Sequence, residues 1–163
     1  TELCGEKKLK QAAEVWLSRS VPNNTNIANK YLNEIKDIVN KNGLKEKFLI
    51  ESAATSYEEV GNDMHRGTKQ KLKEENIPYE KHCARRLTQS DYNKYDYIIG
   101  MEERNLLNIK GICGEDKEKK IYRLLDFTSV PRDIADPWYS GDFDKTYEDV
   151  LEGCNCFLEF LKL

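Results

Sequence analysis

Apolar side chains recur every three or four residues at the beginning of the chain. One such stripe runs from Leu9 to Leu17 and stops before Pro22. A second follows residues that can cap a helix, runs from Ile27 to Val39 and is closed by Asn42-Gly43. This spacing is typical of amphipathic helices, and proline and Asn-Gly are common helix ends. The pattern therefore predicts two helices before residue 43.

After Lys47 the pattern changes to short apolar runs. The first, Phe48 to Ile50, opens into the polar stretch 52–56, and the others are Tyr95 to Met101 and Lys120 to Leu125. Short runs rich in aromatic and β-branched residues are typical of buried strands. We therefore predict three strands in this part of the chain.

Helical patterns separate and follow these strands. A helix is predicted over about residues 65–75, stopped by Asn76-Ile77-Pro78. A short helix follows Thr88-Gln89-Ser90-Asp91, which has the form of a capping box, and another begins at Glu102-Glu103. A last helix is predicted to be capped by Thr146-Tyr147-Glu148-Asp149. The apolar residues on one face of that helix are Tyr147, Val150, Leu151, Cys154, Phe157, Leu158 and Leu161.

Strands that alternate with helices predict a parallel sheet covered on both faces. We expect one α/β domain over residues 1–163, with three layers, α/β/α, around a small parallel sheet. Residues 1–35 are expected to form a divergent, helical N-terminal segment of that domain. Ligands of such sheets bind beyond the carboxyl ends of the strands. The loops after Ile50, Met101 and Leu125 should therefore meet at one mouth.

Composition favours a mildly acidic globular protein, with 39% hydrophobic and 34% charged residues and 26 Lys and Arg against 29 Asp and Glu. The basic residues are scattered, so nucleic-acid binding is not expected. No apolar run is long enough to cross a membrane, and no secretory signal opens the sequence. Five cysteines without CxxC spacing argue against a zinc site or a disulfide framework. We expect a cytoplasmic protein without a metal or other cofactor, and its oligomeric state stays open.

Asp136 is followed by Pro137, Trp138 and Tyr139. Proline fixes its own φ and pushes the preceding residue into an extended conformation, so Asp136 would be presented on a rigid turn. A carboxyl group held in this way suits a general acid. An ordinary surface turn explains the same Asp-Pro pair. The motifs in the rest of the chain bear on the choice between these two interpretations.

Five motifs occur in order within about residues 36–163. They are Phe48-Leu49-Ile50-Glu51-Ser52-Ala53-Ala54-Thr55-Ser56, Val60-Gly61-Asn62, His82-Cys83-Ala84-Arg85-Arg86-Leu87-Thr88, Asp96-Tyr97-Ile98-Ile99-Gly100-Met101-Glu102 and Asp136-Pro137-Trp138-Tyr139. In this order they resemble the low molecular weight protein-tyrosine phosphatases of bacterial type. The resemblance implies hydrolysis of a phosphotyrosine protein or a small aryl phosphate.

The resemblance also implies roles for individual residues. Asp136 would protonate the leaving phenolate, while Trp138 and Tyr139 would flank the substrate ring. His82 and Glu102 match positions that help to organise the phosphate loop, although Glu102 stands where many relatives carry Asp. From the residues alone, His82 fits a half-buried structural histidine equally well, and Glu102 fits an acid at a helix N-terminus.

The family's catalytic loop has a cysteine, five residues and an arginine, and no segment of this chain has that pattern. In one register Cys4 is the nucleophile and Lys10 replaces the arginine, but a lysine does not reproduce the guanidinium fork. In a second, gap-free register Val21 replaces the cysteine and Ile27 the arginine, which gives a site without a nucleophile. A plain helical interpretation of residues 6–42 is the third alternative.

Two functions from different classes remain open. The first is a phosphotyrosine phosphatase, with Cys4 as its candidate nucleophile. The second is a catalytically inactive pseudo-phosphatase that binds a phosphorylated partner or another protein. Arsenate reduction on the same scaffold is set aside, because Cys83 has no second cysteine a few residues away to form a resolving disulfide.

Overall fold

The structure is a computed structural model, and it describes residues 33, 35–44, 48–55, 66–79, 85–135 and 140–161. Most of the N-terminal helical pattern and both registers of the catalytic loop lie outside the described residues. The same holds for five of the candidate site residues, which are Cys4, His82, Asp136, Trp138 and Tyr139.

The described residues contain five helices and two strands. In chain order these are α1 (35–41), α2 (Arg66–Glu74), α3 (Gln89–Lys94), β1 (Ile98–Gly100), α4 (Glu103–Cys113), β2 (Ile121–Arg123) and α5 (Phe143–Phe160). A 3-10 turn, Leu124–Phe127, follows β2 directly. Strands and helices alternate from α3 onward, as the sequence predicts.

β1 and β2 pair in parallel, with Ile98 opposite Ile121 and Gly100 opposite Arg123. Their carboxyl ends therefore lie side by side at one edge of the sheet. A separate parallel bridge joins Ala54 to Arg86.

The two strands are covered on both faces. Ile99 belongs to one buried cluster, and Ile98 and Ile121 belong to another. The first cluster draws on α1, α5 and the loop before residue 136, through Ile35, Ile38, Val39, Ile134, Val150, Cys154, Phe157 and Leu158. The second draws on α3 and α4, through Tyr92, Leu106, Ile109 and Cys113. Successive strand residues point to opposite faces, so the α/β/α arrangement is confirmed.

Two helix ends follow the predicted signals. The Thr88 N–H and hydroxyl both donate to the Asp91 carboxylate, at 2.8 and 3.1 Å, and cap α3. At the end of α1, Gly43 adopts a φ of 69°, a backbone conformation that glycine tolerates best.

The strands are shorter than predicted. Tyr95 ends α3 by donating its N–H to the Asp91 carbonyl at 3.1 Å, so β1 begins only at Ile98. β2 ends at Arg123, because the Asp126 carboxylate accepts the Arg123 N–H at 2.8 Å and closes the 3-10 turn. The predicted strand over Phe48 to Ile50 is not formed, since residues 48–53 carry no strand assignment.

The last helix begins earlier than predicted. Asp142 is its N-cap, and the Asp142 side chain accepts the Lys145 N–H at 2.9 Å. Thr146, the predicted cap, lies one turn inside α5 and is 1% exposed. Its hydroxyl instead contacts the loop that leads toward residue 136. The predicted apolar face of α5 is confirmed, with Val150 and Cys154 fully buried.

Candidate active site

The carboxyl end of β1 turns directly into α4. Asn105, which is 2% exposed, accepts the N–H groups of Met101 and Glu102 through its side-chain oxygen, at 2.9 and 3.0 Å. This contact fixes the turn and presents half-buried Glu102 as the N-cap of α4. Glu102 therefore lies where the sequence places it, at a helix N-terminus beyond the sheet. Asn105 was missed, although a polar residue three positions after a helix cap is a recognisable signal.

The loop between the 3-10 turn and residue 136 is fixed by four consecutive residues. The first is Arg132, whose guanidinium donates to Asp149 at 2.9 Å and to Glu152 at 2.7 Å, both on α5. The Asp149 side chain is 5% exposed, so this contact reaches into the interface between loop and helix. Hydrogen bonds to Glu152, followed by those to Asp149, raise the pKa of Arg132 above its usual value.

Asp133 joins this loop to α4 and to β2. One of its carboxylate oxygens accepts the N–H of Glu103, in the first turn of α4, at 2.9 Å. The same oxygen accepts a guanidinium N–H of Arg123, the last residue of β2, at 2.9 Å. Hydrogen bonds to Asp126, followed by those to Asp133, raise the pKa of Arg123 above its usual value. The guanidinium thus stays charged and holds two carboxylates at the sheet edge.

The next two residues are tied to β1 and to α5. The Ile134 N–H donates to the Met101 carbonyl at 3.0 Å, and the Ile134 side chain is 3% exposed. The Ala135 carbonyl accepts the Thr146 hydroxyl at 3.1 Å. The backbone that enters position 136 is therefore fixed next to the carboxyl end of β1.

A polar cleft of about 470 Å³ lies between α2 and the start of α5. It is lined from α2 and from the start of α5 by Gln70, Lys71, Glu74, Ser140, Gly141, Asp142 and Asp144. Lys71 pairs with Asp144 and, at 2.8 Å, with Glu75, and these contacts raise the pKa of its ammonium group. The lysine charge is thus already neutralised by carboxylates.

The described cysteines do not suit a nucleophile. Cys113 is buried at the end of α4, and burial, followed by the charge of Asp91, raises the pKa of its thiol to about 11. Burial likewise raises the pKa of Cys156 in α5, and Cys154 beside it is fully buried. A nucleophilic cysteine needs a lowered pKa and access to substrate, so these three positions are unsuited to that role.

In the part of the chain that the structure describes, no three His, Cys, Asp or Glu side chains come together in a way that could hold a metal ion. Within the same residues, no helix combines the length and apolar character needed to cross a bilayer.

A family model, curated relatives and solved structures all indicate the same protein family. Residues 25–163 match the family model described as low molecular weight phosphotyrosine protein phosphatase. The chain belongs to this family.

Individual relatives agree with the low molecular weight phosphatase assignment. The protein-tyrosine-phosphatase YfkJ of Bacillus subtilis is 32% identical over 125 residues, which is 76% of this chain and 80% of that protein. PtpA of Staphylococcus aureus is 28% identical over 113 residues, or 69% and 71% of the two chains.

Solved structures of low molecular weight phosphatases share the fold. The crystal structure of YfkJ superposes with a TM-score of 0.83 at 26% identity and covers 94% of this chain and 96% of that one. The structure of SP-PTP from Streptococcus pyogenes gives a TM-score of 0.76 at 34% identity, with 93% of each chain covered.

In this low molecular weight phosphatase chain, Glu102 is the one predicted site residue that the structure describes. Ala135 and Ser140, which flank residues 136–139 in sequence, are described. Ile134, just before Ala135, contacts the turn that carries Glu102 through the Met101 carbonyl. Asp133 and Thr146, which hold that approach, were not singled out as site residues from the sequence.

Proposed function

We propose that this chain hydrolyses phosphotyrosine, or another aryl phosphate monoester, beyond the carboxyl end of its parallel sheet, with Asp136 as the proton donor. The observation that carries this is the fixed approach to position 136, where the Ile134 N–H is bonded to the Met101 carbonyl. The names of YfkJ and PtpA as protein-tyrosine-phosphatases support the substrate class.

The chemistry explains why a carboxyl group is needed at that edge. A phenolate leaving group has a conjugate acid with a pKa of about 10, so at neutral pH it departs faster when it is protonated as the bond to phosphorus breaks. Asp136 would supply that proton. Trp138 and Tyr139 would flank the aryl ring, and His82 and Glu102 would support the loop that binds the phosphate.

The residue that would attack the phosphorus atom is not among the described cysteines. Cys113 and Cys156 are unsuited because their thiol pKa values are raised, and Cys154 is fully buried. Cys4 is the candidate from the sequence, with Lys10 six residues later. The absence of a Cys-x5-Arg segment from the sequence favours a second candidate function. This is binding of a phosphorylated partner without hydrolysis, since neither a thiolate nor a guanidinium fork would then serve the transferring phosphoryl group.

The first prediction concerns Asp136. We expect the wild-type chain to hydrolyse both 4-nitrophenyl phosphate and phenyl phosphate. Asp136→Asn should lower kcat/KM for phenyl phosphate by roughly 100-fold or more, the usual contribution of general acid catalysis. The loss should be smaller for 4-nitrophenyl phosphate, because its leaving group needs less help from a proton.

Three results separate the alternatives. An equal loss of kcat/KM on both substrates would remove Asp136 from the role of acid. No turnover by the wild type would reject hydrolysis in favour of phosphate-dependent binding. In an active wild type, loss of turnover in Cys4→Ser would identify the nucleophile, and retained turnover would exclude Cys4.

A further inference from the structure

The four residues that precede Asp136 are held in an unusual way, because each bonds to a partner elsewhere in the fold. Arg132 bonds to the middle of α5. Asp133 bonds to α4 and β2, Ile134 to the turn after β1, and Ala135 to the first turns of α5. Loops usually have more freedom than this. Here the direction in which the chain enters position 136 is set from several sides.

We propose that Asp133 and Thr146 are positioning residues that aim the Asp136 carboxyl group at the leaving-group oxygen. This inference rests on the proposed function, and it assigns a task to two side chains outside the family motifs quoted above. Neither residue needs to touch the substrate. Both act through the backbone of residues 133–135.

Asp133 fixes the beginning of this segment. A single carboxylate oxygen receives two donors, the Glu103 N–H and the Arg123 guanidinium, each at 2.9 Å. The Glu103 N–H is one of the first-turn groups of α4, which have no partner within the helix. The Asp133 side chain is 48% exposed, so its ion pair adds little to global stability. Its effect is on the direction of the loop.

Thr146 fixes the end of the segment. Its hydroxyl is 3.1 Å from the Ala135 carbonyl and 3.2 Å from the Asp142 carbonyl. The Asp142 carbonyl already accepts the helical N–H of Thr146 at 3.3 Å. The hydroxyl contact with the Ala135 carbonyl is the one that links α5 to the residue directly before Asp136. Thr146 is 1% exposed, so packing restricts the movement of the donor.

The test compares substrates that differ in their need for the acid. We expect Thr146→Val, which keeps the shape but loses the hydroxyl, to lower kcat/KM for phenyl phosphate by about tenfold or more, as small misplacements of a catalytic group do. For 4-nitrophenyl phosphate the loss should be several-fold smaller. Asp133→Asn should act in the same direction, since it keeps an acceptor for Glu103 but loses the charge that attracts Arg123. Thr146→Ser should restore values near the wild type.

A matched control is Thr128→Val. Thr128 is also buried, at 7% exposed, and its hydroxyl donates to the Leu125 carbonyl at 2.8 Å. Loss of the same kind of bond there should leave the ratio of kcat/KM for the two substrates unchanged. A double variant with Thr146→Val and Asp136→Asn should show the same ratio of kcat/KM for the two substrates as Asp136→Asn alone, because no acid remains for Thr146 to position.

The outcomes are separable. If the wild type and Asp136→Asn behave as proposed but Thr146→Val and Asp133→Asn lower kcat/KM equally for both substrates, the positioning role is overturned and the function stands. The positioning role is also overturned if Thr146→Val, added to Asp136→Asn, lowers kcat/KM for phenyl phosphate more than it lowers kcat/KM for 4-nitrophenyl phosphate. If the wild type hydrolyses neither substrate, the proposed function and this inference fail together.

Discussion

Asp91, in the first turn of α3, is a buried carboxylate that is 5% exposed. Arg85 grips both of its carboxylate oxygens, at 2.9 and 3.1 Å, and Thr88 adds two more donors. Burial alone would raise the pKa of Asp91, but the Arg85 and Thr88 hydrogen bonds outweigh it and hold the pKa below its usual value. The ionised form is therefore the one that the folded protein stabilises.

This gives a prediction about pH at the scale of one residue. The pKa of Asp91 is lower in the folded state than in the unfolded state. Its full contribution to the free energy of unfolding is therefore present above the unfolded pKa, about 4. It is lost as the pH falls through the folded value. Asp91→Asn should lower the free energy of unfolding by about 2 kcal/mol at neutral pH, and the difference from wild type should shrink below about pH 4. Urea unfolding at several pH values measures this.

Glu115→Gln is the control, since Glu115 is exposed. Its free energy of unfolding should follow the wild type at each pH. A difference between Asp91→Asn and wild type that stays constant down to about pH 3 would show that the carboxylate charge is not what stabilises the fold.

At the scale of single residues, hydrogen bonds between neighbours in sequence could be predicted, and those between distant residues could not. The Thr88 and Asp91 pair was predicted because its partners are three residues apart in sequence. Thr146 was expected to cap α5, yet its hydroxyl bonds to Ala135, eleven residues earlier. Asp133 carries no local signal, because its partner in α4 lies thirty residues away.

At the scale of elements, α5 and the 3-10 turn after β2 approach each other closely. Gly153 faces Leu124, which is fully buried. A Cβ atom added at Gly153 would lie 2.5 Å from Leu124 Cγ and 3.0 Å from Cδ2. No side chain fits that contact without movement of the helix or the turn. Glycine here lets α5 lie directly on the end of β2.

We therefore predict that Gly153→Ala destabilises the protein. Alanine favours a helix interior by about 1 kcal/mol over glycine. The overlap with Leu124 should exceed this gain and leave a net loss of about 1–3 kcal/mol. Gly111 in α4 is the matched control, because it is exposed and a Cβ there would meet nothing within 4 Å. Gly111→Ala should raise the free energy of unfolding by up to about 1 kcal/mol.

Chemical denaturation of the two variants side by side checks this. Equal stabilisation by both substitutions would mean that α5 and the turn move apart easily, and that the close contact is not required.

Helices could be predicted more closely than strands. The helix over Arg66–Glu74 nearly coincides with its predicted range, since its apolar spacing and the Pro78 stop are local features. The ends of β1 and β2 depend on hydrogen bonds to neighbours, here the Asp91 carbonyl and the Asp126 carboxylate. Such competition between a turn and a ladder cannot be seen in the apolar pattern alone.

At the scale of the whole molecule, the family could be predicted because its motifs recur in order along the chain, and residues 25–163 match the family model. The start of a helix at Glu102-Glu103 was predicted from the residues, and Glu102 is the N-cap of α4. The resemblance did not predict how residues 132–135 are held, because their partners come from the turn after β1 and from β2, α4 and α5. These elements meet only in the folded chain.

A prediction about ligand binding belongs to this scale. Both hydrolysis and binding without hydrolysis require that the folded chain hold a phosphate dianion. A ligand that binds only the folded state stabilises it by about 2.7 kcal/mol at one hundred times its dissociation constant. Inorganic phosphate should therefore raise the Tm by several degrees. Sodium chloride at equal ionic strength controls for screening, and an equal rise in both salts would contradict a phosphate site in either form.

The bonds of residues 132–135 have a consequence for the timing of a catalytic cycle. In many enzymes a lid must swing shut over the substrate and open again, and that movement limits turnover. Here residues 132–135 are bonded to α5 and to the turn after β1. If Asp136 is the acid that we propose, the segment that supports it does not need to be assembled anew in each turnover.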